Sequence, residues 1–178
     1  PPGPMMSRIA EGGVLAGLAL VALLFGLLIG PQFFSPANVE LMARQTAIVG
    51  VAALGMTMVI VSGGIDLSVG SIIALSTVVT ALCLRGGWWP LAAASGAVAA
   101  GAACGALNGL LVTGLRVVPF IVTLGTMLLV RGAAKGLSNE RRLEAPLTWL
   151  NGLLRTARDG HGLLLPWGIW IVAILAVL

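Results

Sequence analysis

Charge is what this chain has least of: Asp, Glu, Lys and Arg together make up 9 % of its 178 residues, against about a quarter in an ordinary soluble domain. A water-soluble fold of this length would need polar surface that the sequence does not carry. The ten Lys and Arg, set against six Asp and Glu, are spread too thinly to build the clustered basic face that nucleic acid requires, which excludes nucleic-acid binding. Histidine occurs once, at His161 between Gly160 and Gly162. That excludes the usual His-rich metal constellations and leaves no base for a serine nucleophile within the apolar runs, and His161 itself is given no role. The two cysteines, Cys83 and Cys104, lie inside apolar runs and behave as small hydrophobes; they form neither a disulfide framework nor a metal site. Asp66 is the one acid within the apolar runs, so the paired carboxylates of an intramembrane aspartyl protease are missing. No Gly-x-x-x-x-Gly-Lys-Ser/Thr occurs, and nucleotide hydrolysis would have to come from a partner chain. No catalytic residue, metal ligand or resident cofactor is assigned.

What is present is apolar length. Apolar residues make up 58 % of the chain, and long uncharged stretches separate Glu11, Glu40, Arg44, Asp66, Arg85, Arg116 and Arg131. A spanning helix needs roughly 20 apolar residues, and the runs are continuous rather than alternating as in a barrel strand. The fold class is therefore all-α, a polytopic helical membrane protein. Helices are predicted near Gly13–Ile29, Met42–Ser62, Leu67–Leu84, Leu91–Gly114 and Val118–Ala134, with a last one beginning near Leu164, about six in all. Residues 1–12 read as an N-terminal tail, opening on Pro1-Pro2-Gly3-Pro4 ahead of Met5 and Met6, and residues 13–178 as a single transmembrane domain. Its one long extramembrane loop is 135–163, where Leu147, Leu150 and Leu154 recur at helical spacing beside Trp149, as in a helix lying on the membrane interface. Trp88, Trp89, Trp167 and Trp170 fall at helix ends, where indoles anchor at the headgroups. Arg85, Arg116 and Arg131 fall there too, where they are expected to be solvated or to snorkel.

Three stretches stand out from this apolar background. In Ser62-Gly63-Gly64-Ile65-Asp66-Leu67-Ser68-Val69-Gly70-Ser71, paired glycines break a helix and a lone acid follows. Irregular backbone at membrane depth is tolerated only where protein buries it or a watery cavity borders it, so a broken helix points to a pathway. Asp66 is read in two ways that can coexist: as a turn-former and the cap of a helix starting at Leu67, and as a contact for something translocated. The second stretch places Ala97, Gly101, Gly105 and Gly109 four apart as a small-residue stripe for helix packing, with a subunit interface or a pathway wall as its other readings. Asn108 beside it can hydrogen-bond across helices. The third has Pro119 in the first turn of a helix, followed by Thr123 and Thr126, whose hydroxyls are expected to return to the preceding turn of backbone.

In their order and spacing, Gly63 to Ser71, then Ala106-Leu107-Asn108-Gly109-Leu110-Leu111-Val112, then Pro119 to Thr126 and Arg131-Gly132 resemble the permease subunits of bacterial ABC importers for ribose and related monosaccharides, within the binding-protein-dependent inner-membrane component family. The resemblance implies a multi-pass protein of the bacterial inner membrane, working as a dimer of permeases. A periplasmic sugar-binding protein would dock outside and an ATPase subunit with two nucleotide-binding domains inside, ATP and Mg belonging to the ATPase. It carries over Gly63, Gly64, Asp66, Ser68 and Gly70 as the motif at the substrate pathway, and more weakly Asn108, Thr123 and Thr126. It also implies a longer chain, of which this sequence is the N-terminal half.

The resemblance sets the 135–163 loop on the periplasmic side. The positive-inside rule favours the reverse, because that loop holds more Lys and Arg than the inner positions Arg8 and Arg116. A single crossing broken at Gly63–Asp66 would remove this conflict, but the implied topology gathers the tryptophans on the outer side and is kept. Two other functions fit parts of the pattern: an ion-coupled secondary transporter, from a broken helix with one acid, and a structural membrane subunit, from the small-residue stripe.

Overall fold

The structure, a computed structural model, describes residues 4–149, 151 and 174. Its order is α1 (Pro4–Ile29), a 3-10 turn (Gly30–Phe34), α2 (Pro36–Val61), α3 (Val69–Arg85), α4 (Pro90–Gly114) and α5 (Pro119–Ser138), with no strand among the described residues. Among the described residues, four stretches are long and apolar enough to cross a membrane: Gly12–Phe34, Pro36–Val61, Pro90–Gly114 and Pro119–Ser138. With 17 residues α3 is shorter, about 25 Å at 1.5 Å per residue. The helix expected from Leu164, with Trp167 and Trp170, lies outside the described residues except for Ile174, as do Leu150, Leu154 and His161.

Helix starts follow local chemistry. Pro36, Pro90 and Pro119 each open a helix, where a missing N–H breaks no intrahelical bond and the fixed φ suits the first turn. Ser35 caps α2, its Oγ accepting from the Asn38 backbone N–H at 3.4 Å. Between α1 and α2 the 3-10 turn folds back on α1. The Phe33 ring stacks 6.2 Å from Phe25 and meets Phe34 edge-on at 5.0 Å, and Gly26 leaves room for the Phe34 ring.

Several boundaries differ from expectation, most of them because a charge need not end a helix. Glu40 and Arg44 sit inside α2 and pair with each other one turn apart, so the helix begins at Pro36 rather than at the expected Met42. Likewise α5 runs through Arg131 and Lys135 to Ser138, which takes the first residues of the expected 135–163 loop and puts Arg131 in the helix interior. Helix α1 already begins at Pro4, within the segment expected as a tail. Helix α3 begins at Val69, two residues after Leu67.

Packing is concentrated in α3, α4 and α5. Helix α3 packs most extensively on α4 and then on α5. The buried residues of α5, Val122, Thr123, Thr126, Val130 and Ala134, recur at helical spacing and define its inward face. On α4 the small-residue stripe divides. Ser76 Oγ donates to the Ala97 carbonyl at 3.3 Å, and a Cβ at Gly101 would lie 3.5 Å from Ile72 and Ser76, whereas one at Gly105 or Gly109 would meet nothing within 4 Å. A four-residue step turns the helix through about 400°. The stripe therefore drifts about 40° per step, so its second half rotates away from α3. The face that stays inward ends on Asn108, which is buried.

Candidate functional site

Helix α2 ends in a reversal built by two glycines. Gly63 has φ +80°, a left-handed conformation that only glycine adopts without strain. Its N–H donates to the Ile60 carbonyl at 2.9 Å, and the Gly64 N–H to the Val59 carbonyl at 3.0 Å. Those paired bonds form a Schellman motif and satisfy carbonyls that the helix end would otherwise leave open. Gly64 is needed for space: a Cβ there would sit 3.2 Å from Val59 Cγ1 and 3.7 Å from Pro119 Cβ.

The chain then crosses to α3 through an Asx turn. Asp66 Oδ1 accepts from the Ser68 backbone N–H at 2.7 Å and from Ser68 Oγ at 2.5 Å. Ser68, not Asp66, is the N-cap residue of α3. Of the expected cap and turn-forming roles, the position of the cap is corrected, since the helix begins at Val69 rather than Leu67, while the turn is as expected: the Asp66 carboxylate accepts a backbone N–H and holds the turn two residues upstream of the cap, because its short side chain reaches the N–H two residues on. That keeps a negative group near the positive end of α3.

From Ser68 the hydrogen bonds continue through two more helices. Asn108 Nδ2, on α4, donates to Ser68 Oγ at 3.0 Å, and Thr126 Oγ1, on α5, donates to Asn108 Oδ1 at 2.6 Å. The Asn108 amide nitrogen can only donate. Ser68 must therefore spend its proton on Asp66 and accept from the amide, which leaves the Asn108 oxygen for the threonine. The result is a one-way chain, Thr126 to Asn108 to Ser68 to Asp66, in which each bond polarises the next. A second tie runs from Thr123 Oγ1 to the Ile65 carbonyl at 3.1 Å, satisfying backbone polarity in the irregular segment. Ser68 is fully buried, and Asn108, Thr123 and Thr126 are nearly so.

Each threonine hydroxyl has a single proton, which it shares with its own helix as expected: Thr126 Oγ1 also lies 3.0 Å from the Val122 carbonyl and Thr123 Oγ1 3.3 Å from the Phe120 carbonyl. Of the candidate residues, the structure brings together Gly64, Asp66, Ser68, Asn108, Thr123 and Thr126. Gly63 shapes the turn from outside the cluster, and Gly70, exposed in the first turn of α3, touches none of it. The residue that the sequence reading passed over is Ser76, which ties α3 to α4 through the Ala97 carbonyl. A serine facing a small-residue helix was the available signal.

Because Ser68, Asn108 and Thr126 satisfy one another, they are suited to fixing the irregular segment rather than to exchanging partners. Asp66 is different. It is only partly buried and borders a cavity of about 520 Å³ between α2 and α3, otherwise lined by apolar side chains such as Ile48, Val51, Met56 and Val59 and by Ala52 and Gly55.

Residues 38–178 match the protein family described as branched-chain amino acid transport system / permease component. The chain is similar to the ribose import permease protein of Escherichia coli (strain K12), with 37 % identity over 164 residues, covering 92 % of this chain and 50 % of that protein. It is 42 % identical over 109 residues to the fructose import permease protein of Rhizobium meliloti, covering 61 % of this chain and 30 % of that one. To the D-allose transport system permease protein of Escherichia coli (strain K12) it is 41 % identical over 116 residues, covering 65 % and 36 %. The chain thus spans half or less of the length of these relatives. No solved structure matches it.

Proposed function

Because the chain belongs to the transport-system permease family that matches residues 38–178, we propose that it is the N-terminal half of a membrane-spanning permease subunit of an ATP-binding-cassette importer, and that its solute is a monosaccharide. The observation that carries this reading is the convergence of three separate sequence motifs on one hydrogen-bonded cluster around a broken helix, in a chain similar to a ribose import permease.

The family description names branched-chain amino acids, but the chemistry of the site favours a sugar. An amino acid brings its own carboxylate, and discontinuous helices hold such a group at a free N-terminal end. Here Asp66 already occupies the turn ahead of α3, so a second carboxylate would be repelled. No Lys, Arg or His joins the cluster among the described residues to offset it. A neutral sugar exchanges hydrogen bonds without burying a net charge, and the relatives named for ribose, fructose and D-allose agree with that choice.

In this reading Gly63, Gly64, Asp66, Ser68 and Gly70 form the stretch at the pathway, with Asn108, Thr123 and Thr126 holding it in place. The full permease is a multi-pass protein of the bacterial inner membrane. It contributes about six helices from residues 13–178, since each crossing needs roughly 20 apolar residues, and pairs with a second permease subunit. A periplasmic sugar-binding protein delivers the solute. A separate ATPase subunit with two nucleotide-binding domains supplies ATP and Mg chemistry, so this chain performs no catalysis. An ion-coupled mechanism is disfavoured, because no second ionisable side chain joins Asp66 in the cluster among the described residues.

The test is uptake of labelled D-ribose, D-fructose and D-allose into proteoliposomes holding the full-length permease, its binding protein and its ATPase. ATP-dependent uptake of one sugar is expected. Uptake driven by an ion gradient without ATP, or failure of the permease to associate with an ATPase subunit, would overturn the proposal.

A further inference from the structure

Among the described residues, a pair of cavities along α3 shares a wall. The first, of about 520 Å³, runs from Asp66 and Val69 to Ile72 and Ile73. The second, of about 600 Å³, starts at the same Ile72 and Ile73 and continues past Ser76, Thr77 and Thr80 to Leu84, with Leu143 and Pro146 from the segment after α5 on its other side. Within α3, Ile73, Thr77, Thr80 and Leu84 follow at steps of three or four and share one face. The side turned to α4 is carried by Ile72, Ser76, Val79 and Cys83, which approach Gly96, Ala97 and Gly101.

We propose that the two cavities form one lane along α3 for a neutral polyhydroxyl solute, with a carboxylate station at Asp66, an apolar neck at Ile72 and Ile73, and a hydroxyl station at Ser76, Thr77 and Thr80. The lane rests on the permease reading above and names where its solute is held.

Hydrogen-bond polarity sets the solute class. Thr77 Oγ1 donates to the Ile73 carbonyl at 2.9 Å, Thr80 Oγ1 to the Ser76 carbonyl at 2.8 Å, and Ser76 Oγ to the Ala97 carbonyl at 3.3 Å. Each hydroxyl proton is committed to backbone, while each oxygen keeps lone pairs that can accept. At the other end, Asp66 Oδ1 takes both bonds from Ser68, which leaves Oδ2 to accept. Both stations therefore ask for a donor, and a sugar presents O–H groups around its whole edge. A cation would also be drawn to Asp66. To move on it would have to leave its counter-charge and pass the isoleucines into a cavity that no Asp or Glu lines among the described residues, which is costly inside a membrane.

The test measures the kcat and KM of ATP-driven uptake of labelled D-ribose, D-fructose and D-allose, using the full-length permease with its binding protein and ATPase in proteoliposomes. Replacing Thr77 and Thr80 together by valine is expected to lower kcat/KM about tenfold, the size expected for two lost hydrogen bonds. Serine at both positions is expected to restore it. Thr113→Val removes the same kind of bond, Thr113 Oγ1 to the Gly109 carbonyl at 2.7 Å, from α4 outside either cavity, and is expected to transport normally. Ile73→Trp fills the neck and is expected to stop uptake in a complex that still assembles. Valine variants that transport as the wild type does, or a Thr113→Val loss of equal size, would overturn the lane and leave the permease reading standing. A correctly assembled wild-type complex that takes up none of the three sugars would overturn the sugar reading and the lane with it.

Discussion

Helix α1 is the most apolar of the four candidate spans and buries nothing over its apolar window, whereas α5 is the least apolar and buries the most. The contrast extends to their neighbours. Among the described residues, α1 and α2 contribute one buried side chain, Ala47, while Ser68, Ser71, Asn108, Thr123 and Thr126 are all buried around α3, α4 and α5. Apolar length places a helix in lipid, but lipid tails are as apolar as leucine, so hydrophobicity does not choose among helix partners. Close approach at Ala97 and Gly101 and the bonds through Asn108 make that choice here. Apolar content explains why each helix is in the membrane, and the few polar side chains explain why three of them pack as they do.

The sharpest way to break this contrast is Asn108→Leu. It keeps the volume but removes both the donor to Ser68 and the acceptor for Thr126, and is expected to destabilise the permease by about 2 kcal/mol. Uptake should be lost, and unfolding in bicelles checks the stability. The glycines come next, for separable reasons. Gly64→Leu drives a side chain into Val59 Cγ1 and is expected to cost about 1–3 kcal/mol as overpacking. Gly63→Ala meets open space and should cost only about 1 kcal/mol, from its left-handed backbone. Comparing the two unfolding midpoints tests that ordering.

Asp66→Asn sharpens the comparison further. Asparagine keeps an oxygen in the Oδ1 position for the Ser68 N–H, so stability should fall by less than about 1 kcal/mol. Asp66→Leu, with no acceptor, should be worse in both stability and uptake. Equal loss of uptake in the two variants would mean that the charge itself, rather than the turn it holds, is what transport uses. The smallest effect is expected outside the cluster. Thr57→Val in α2 removes only the bond to the Ala53 carbonyl at 2.8 Å and should change stability by no more than about 0.5 kcal/mol.

Much of the fold could be read from the sequence because its signals are local. The apolar runs marked the helices, and the Pro119 start matched expectation because the first turn lacks intrahelical N–H partners. Glu40 and Arg44 misled because a pair one turn apart can share a helix surface, and so a charge need not end a span. The stripe from Ala97 to Gly109 packs on α3 over its first half only, because four-residue spacing is not the helical period. Within the site, each motif was visible by itself. Their convergence was not, since Asn108 and Ser68 are 40 residues apart and Thr123 reaches a carbonyl 58 residues away. No periodicity encodes such a contact, and a threonine that bonds its own helix, as Thr126 also does, gives no sign that it bonds another.

The central claim is that side-chain hydrogen bonds across α4 and α5 specify the packing of the site. The most direct measurement is a double-mutant cycle of Asn108→Ala and Thr126→Val, read from unfolding of the full-length permease in bicelles. Loss of the Asn108–Ser68 bond is common to Asn108→Ala and the double variant and cancels, which isolates the 2.6 Å contact between Thr126 and Asn108. A coupling energy of about 0.6–2 kcal/mol is predicted. Additive single effects, agreeing within about 0.3 kcal/mol, would contradict the account.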